Sequence, residues 1–241
     1  MGGSEPPGRK VTRSTNMDNG QTTLNTKDTF FSQATCDRCG GRLEPGRTMS
    51  RFNRDCICME CAAKERARGD YPLAVAVERE AVKRGIRDFG GIGLCEWASE
   101  SLRTILPITQ RRFLDSLMRS GSEDTRREAA AMVEAAEQQA KAFETMPKTG
   151  ETDGRPESRV KAHLHYFVPT RAADWWITER DADGRQIQAF GLARLWETEL
   201  GYINLEELQA LPLVELDFYW KPTTLQAVRE SIGDEMRGGV I

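Results

Sequence analysis

Apolar residues recur at helical spacing through the middle of this chain and alternate with polar ones toward its C-terminus. Asp70 followed by Pro72 reads as a helix start, and Gly85 as a left-handed stop. Glu80 and Arg84 are spaced to support that helix. A second helical stretch begins near Trp97 and is broken or restarted at Pro107. Beyond it Phe113, Leu114, Leu117 and Met118 share one face, and Gly121 stops the turn. Ser122 then caps a third helix in which Ala129, Met132, Val133, Ala136, Ala140 and Phe143 repeat with the helical period, ended by Pro147. The pattern predicts a helical hairpin with a narrow, alanine-rich seam. That seam packs within the chain or, as the alternative, forms a dimer or partner face.

After Lys148–Ser158, a Gly- and Thr-bearing stretch that reads as a linker, the period becomes two. Val160, Ala162, Leu164, Tyr166 and Val168 define one buried strand face. Residues 174–180 and 185–192 flank Asp183-Gly184, a hairpin signal. Asn204 and Glu207 form a capping box that opens a short helix through Leu211. Leu213–Trp220 reads as a further strand, and Thr223 with Gln226 caps a last helix. The expected fold is α+β: a polar leader without periodicity (1–30), a zinc-binding module with its following helix (31–94), a helical segment (95–147), the linker (148–158), and a small antiparallel sheet with short helices (159–241).

Length and charge narrow the function classes. The chain has 241 residues, 29% of them charged, and no apolar run able to cross a bilayer. The leader has no apolar signal core and carries Pro6 where a myristoylation pattern needs Ser or Thr, so a cytoplasmic location is expected. Residues 36–69 carry eight Lys and Arg against five Asp and Glu; residues 151–241 carry ten against sixteen. A mildly basic module thus precedes an acidic C-terminal part, without the excess usual for an obligate DNA binder.

The strongest chemical signal is Cys36-x2-Cys39 followed by Cys58-x2-Cys61. Two intervening residues let one tight turn aim both sulfurs at a tetrahedral ion, and Gly40-Gly41 supplies the backbone freedom. In a reducing compartment such pairs are metal ligands rather than disulfides. Pairing Cys56 with Cys58 would leave one residue for the turn, so Cys56 reads as a buried neighbour and Cys95 as a core residue. Four thiolates close the shell, which makes the zinc ion structural.

Arg38, Arg42, Arg47, Arg51 and Arg54 surround this ribbon, with Phe52 among them. They suit contact with nucleic acid or a partner, or they offset the thiolates: four thiolates and one zinc ion sum to -2. No Walker A loop, dinucleotide fingerprint, nucleophile elbow or His-Glu-x-x-His is present. The two histidines, His163 and His165, lie two apart on a predicted strand and read as a polar face. Trp175 and Trp176 must point to opposite sides of their strand, leaving one available to a partner.

The C-terminal motifs His165-Tyr166-Phe167, Asp174-Trp175-Trp176-Ile177-Thr178-Glu179, Ala189-Phe190-Gly191-Leu192-Ala193, Glu199-Leu200-Gly201-Tyr202-Ile203 and Lys221-Pro222-Thr223-Thr224-Leu225 resemble the domain of unknown function numbered 2958, met on bacterial plasmids, integrative elements and phages. The Arg194–Thr198 connection is shorter than that family often has. The N-terminal residues Cys36–Gly41, Thr48–Asn53, Ile57-Cys58 and Gly91-Ile92-Gly93 look like four-cysteine zinc modules of similar elements. These resemblances imply an accessory protein of a phage or mobile element in a bacterial host. It is expected to act by binding a protein, a host-defence complex being the most specific version, rather than as an enzyme. The alternatives are a nucleic-acid-binding accessory factor using the arginine-lined ribbon, or an enzyme working in the C-terminal domain.

Overall fold

A computed structural model describes residues 30–170 and 173–238. Of the expected leader only Phe30 is among them. Residues Met1–Gln33 form one unit, in which a turn at 30–32 is described, and Ala34–Ile241 form the other. The boundaries expected at 94, 147 and 158 all fall inside that second unit.

It opens with a two-stranded antiparallel hairpin, β1 (Arg47–Met49) and β2 (Cys56–Cys58). Helix α1 (Met59–Arg66) follows directly, then α2 (Tyr71–Lys83). The Ala-Ala-Lys-Glu-Arg run of α1 has good helix formers but little amphipathic pattern, and periodicity alone passes over it. Pro72 lies in the first turn of α2, and Gly85, just past its end, has φ +77°. Glu80 pairs with Lys83 at 2.6 Å rather than with Arg84.

Three helices follow: α3 (Glu100–Ile105), α4 (Ile108–Met118) and α5 (Glu123–Thr145). Ser99 and Ser122 cap α3 and α5, accepting from Leu102 N at 3.0 Å and Thr125 N at 3.3 Å. Pro107 restarts the chain as α4, and Ala129, Ala136, Ala140 and Phe143 of α5 are buried as the seam required. The inward face of α4 differs from the expected one. It carries Ile108, Arg111, Leu114 and Asp115, while Phe113 is exposed. Arg111 and Asp115 can turn inward because Asp70 and the backbone N–H groups of Leu94 and Cys95 meet them there.

The C-terminal half is built on β3 (Lys161–Ala162), β4 (Leu164–Phe167), β5 (Asp174–Glu179), β6 (Ala189–Arg194), β7 (Thr198–Ile203), α6 (Leu205–Ala210), β8 (Glu215–Leu216), β9 (Thr223–Thr224) and α7 (Leu225–Gly238). Five strands form an antiparallel sheet in the order β7-β6-β5-β4-β8, and β3 pairs with β9. One sheet face (Leu164, Tyr166, Ile177, Ala189, Leu216) packs on α3–α6 in the main core. The other carries Trp176 and Leu192 against Leu225, Val228 and Ile232 of α7. Val160 and Ala162 belong to this second core although they share the parity of Leu164 and Tyr166. The chain therefore changes sides at His163, and the alternating stripe is two half-stripes.

Several local expectations shift. Asp183-Gly184 does not make a two-residue hairpin: β5 ends at Glu179 and β6 begins at Ala189. Asp181 organises the longer loop by accepting from Asp183 N, Ile187 N and Gln188 N at 3.0, 3.1 and 2.8 Å. The strand expected over 213–220 contracts to Glu215–Leu216. The cap of α7 is Thr224, accepting from Ala227 N at 3.2 Å, one residue beyond Thr223. Asn204 caps α6, accepting from Glu207 N at 3.1 Å. Residues 148–158 are not a loose linker but a run of turns. The buried Glu179 carboxylate fastens them by accepting from Gly150 N at 2.7 Å and Thr152 N at 2.8 Å.

Candidate metal centre

The first ligand pair sits on a tight turn. Cys36 N donates to Gly41 O at 2.7 Å and Gly40 N to Cys36 O at 2.9 Å, with Gly40 at φ +70°. A Cβ on Gly41 would stand 3.3 Å from Cys39 Sγ, so glycine leaves that sulfur room. The second pair comes from the end of β2 and the first turn of α1: Cys58 is the N-cap residue, and Cys61 lies one turn on. Cys58 N donates to Cys36 Sγ at 3.4 Å, joining the two halves.

The four Sγ atoms of Cys36, Cys39, Cys58 and Cys61 all lie within 4.8 Å of one another, a group that could hold a metal ion. Sulfurs at tetrahedral corners about 2.3 Å from one ion sit about 3.8 Å apart; Cys39 Sγ and Cys58 Sγ are 3.8 Å apart. Three of the four cysteines are buried, and Cys39 is exposed. Burial raises the Cys36 thiol, but backbone N–H donors from Cys58, Cys39 and Arg38 outweigh it and bring the pKa down to about 6. Burial, then hydrogen bonds within the cluster, push Cys61 up to about 12. A shared divalent cation would favour the thiolate form of all four sulfurs. Cys56 is buried beside the cluster and Cys95 in the main core, where burial pushes its thiol up to about 12.

The arginines around the ribbon divide. Arg38 is internal: Nη1 donates to Glu65 Oε1 at 2.5 Å, and Nη2 to Ser50, Asn53 and Asp55 at 3.2, 3.3 and 3.2 Å. Ser50 in turn donates to Glu65, tying α1 to the hairpin. Arg51 pairs with Glu78 at 2.6 Å and donates to Tyr71 Oη at 2.6 Å. Phe52 is fully buried under the Arg68 guanidinium, 4.3 Å from its ring, and has no face for a base. Arg42 and Arg54 are exposed, Arg54 pairing with Asp88 at 2.8 Å; Arg47, opposite Cys58 on β1, is half-buried. The ribbon's cations are therefore not one free patch.

Trp175 and Trp176 do point to opposite faces, but both are packed: Trp175 against the main core, Trp176 within the second. The fully exposed tryptophan is Trp196, in the β6–β7 connection, with Leu200 and Tyr202 exposed on β7 beyond it. Their register partners Leu192 and Phe190 put Leu200 and Tyr202 on the α7 side of the sheet, on its edge strand among the described residues. Sequence reasoning missed this place: Trp196 reads there as a core or edge anchor, and it is fully exposed instead.

His165 gathers a cluster that spacing could not foresee. Its Nε2 is 3.0 Å from Asp174 Oδ1 and its Nδ1 3.3 Å from Asp217 Oδ2, while Arg194 donates to Asp174 at 2.9 and 2.5 Å. His163 does not share these partners; burial and the nearby Lys161 charge lower its pKa. Among the described residues no helix is long and apolar enough to cross a membrane. No protein-family model matches the chain, and neither a curated protein nor a solved structure is measurably similar to it.

Proposed function

We propose that this is a non-enzymatic protein that acts by binding another protein through the sheet edge at β7, with a structural zinc ion in the Cys36–Cys39–Cys58–Cys61 cluster. The observation that carries the reading is the edge itself. Its outermost strand presents Leu200 and Tyr202, next to a fully exposed Trp196, with Glu197 and Glu199 beside them. Aromatic residues ringed by polar ones are the usual anchors of protein interfaces, and an unpaired strand offers backbone donors and acceptors as well. The metal site supports the same reading, because four thiolates use every coordination position and leave none for a substrate.

The sequence resemblances support reading it as an accessory of a phage or mobile element in a bacterial host, with a host-defence complex as the partner we propose. The nucleic-acid reading is less well supported, since Arg38 and Phe52 are internal and Arg51 is engaged by Glu78 and Tyr71. Affinity capture from bacterial lysate tests the proposal with parent protein and a Trp196→Ala/Tyr202→Ala variant. A stoichiometric protein retained by the parent and lost by the variant is the expected result. Recovery of nucleic acid alone, or equal capture by both proteins, would overturn it.

A further inference from the structure

What an edge strand recruits is set by the side chains on its two faces, because successive residues of an added strand point to opposite sides of the sheet. No described strand lies beyond β7, so its outer side is open to an added chain. On the α7 side β7 offers Leu200 and Tyr202, 40% and 72% exposed. On the other side the register sets Glu199 beside Ala193 and Gly201 beside Gly191. A Cβ on Gly201 would meet nothing within 4 Å, which leaves that side of the edge open next to Glu199.

Beside Glu199 lies an open cleft of about 240 Å³, lined by Ala193, Leu195, Trp196, Glu197 and Glu199. Its charge is unbalanced, with two carboxylates and no cation in the wall. Among the described residues neither glutamate has an ion-pair partner. Arg194, opposite Thr198 in the ladder, lies on the Trp176 side of the sheet instead and donates to Asp174 at 2.9 Å. Glu197, Glu199 and the Trp196 ring are all exposed, within reach of an incoming side chain.

We infer that the chain taken by this edge is an extended segment in which apolar residues alternate with lysine or arginine. Its apolar side chains lie beside Leu200 and Tyr202, and a basic one enters the cleft. This partner chemistry rests on the proposed binding role of β7. A lysine or arginine would lay its methylenes on Ala193 and Leu195, set its cation against the Trp196 ring and pair with Glu197 and Glu199. Charge separates this occupant from the others. Nucleic acid would bring phosphates to two glutamates, and a second copy of this chain would gather four glutamates at one seam; both contacts are repulsive.

The test is fluorescence anisotropy of a short, blocked and labelled peptide of alternating valine and lysine, titrated with the full-length protein beside its valine–glutamate counterpart. Saturable binding of the lysine peptide with a Kd of about 100 µM or tighter is expected, weakening as salt rises, and the glutamate peptide should bind at least about tenfold less tightly. Glu197→Gln/Glu199→Gln should weaken the lysine peptide about tenfold. Glu123→Gln/Asp124→Asn removes two acids of α5 whose side chains are 81% and 85% exposed, and should leave that binding unchanged. No saturation by the lysine peptide below about 1 mM, equal binding of the two peptides, or equal weakening by both variants overturns the inference. The two readings of β7 fail separately. Lysate capture that is lost with Trp196 and Tyr202 but kept by Glu197→Gln/Glu199→Gln leaves the binding edge standing and overturns the basic partner. Lysine-peptide binding as expected, alongside lysate capture indifferent to Trp196→Ala/Tyr202→Ala, does the reverse.

Discussion

The His165 imidazole lies 5.2 Å from the Trp176 ring and 7° from parallel to it. The two residues are register partners on β4 and β5, and their stacking holds the imidazole edge toward Asp174 and Asp217. A neutral imidazole has one N–H and one lone pair, so both carboxylates accept from the ring only when both nitrogens carry protons. The arrangement closes the α7 side of the sheet with a stacked ring and the Arg194–Asp174 ion pair.

Asp174 gives this cluster an acid dependence. Burial raises its pKa, but hydrogen bonds from His165 and Arg194 outweigh that and hold it below the ordinary 3.8. A carboxyl lowered in the folded state stabilises above the unfolded value, and that contribution is lost as pH falls through the folded value. Asp174→Asn should therefore cost about 2 kcal/mol at neutral pH and lose less than the parent on acidification below about pH 4. Denaturant titrations of both proteins at matched pH check it. Parallel curves across that window would show that Asp174 is not the linked group.

How much of this could be read from residues alone depended on how local each contact was. Cysteine spacing pointed to the metal cluster because two residues decide one turn, and Ser122 and Asn204 cap helices by bonds three residues long. The partners of His165 lie 9 and 52 residues away, set by strand register and the loop after β8. The change of sides at His163 was hidden because Val160–Tyr166 alternates without a break. The inward turn of Arg111 was equally hidden: a charged residue reads as surface unless its partner, 41 positions away, is known. The arginine ribbon misled for the same reason, since Arg38 finds Glu65 only after the hairpin folds onto α1.

For the metal centre, purified protein should contain one equivalent of zinc by elemental analysis, and chelation should unfold the hairpin and α1, read as a loss of thermal stability. Cys58→Ser should remove the metal and leave the module unfolded, because so small a segment depends on the ion for its fold. Cys56→Ala is the control. Its side chain is buried outside the four-sulfur group, so it should keep the metal at a cost of about 1 kcal/mol. Equal metal loss in both variants would mean that Cys56 is a ligand.

Arg38 and Arg54 look alike in sequence and should behave differently. Arg38→Ala strips the buried Glu65 and Ser50 of their partner and should destabilise the protein by about 3 kcal/mol or more. Arg54 and Asp88 have side chains 69% and 78% exposed, and Arg54→Ala should stay within about 0.5 kcal/mol. Urea unfolding of both variants measures the difference. A mobility-shift titration of the two should show no salt-sensitive DNA affinity to lose.

Gly91 ties the segment after α2 back onto the ribbon, and a methyl group there should undo the tie. Gly93 N donates to Phe52 O at 2.7 Å and Ile92 N to Arg51 O at 3.3 Å, which lays residues 91–93 along the chain that leads into β2. Gly91 has φ +79°, and a Cβ on it would fall 2.2 Å from Phe52 C and 2.3 Å from Asn53 N. Both contacts are backbone atoms of a buried segment that cannot swing aside. Gly91→Ala should therefore cost more than about 3 kcal/mol, through strain and the displacement of Ile92 from its cluster with Phe52 and Leu73. Gly201→Ala on β7 meets nothing within 4 Å and should stay within about 0.5 kcal/mol. Chemical denaturation separates the two, and a Gly91 variant as stable as the parent would mean that the segment does not pack on the ribbon in this way.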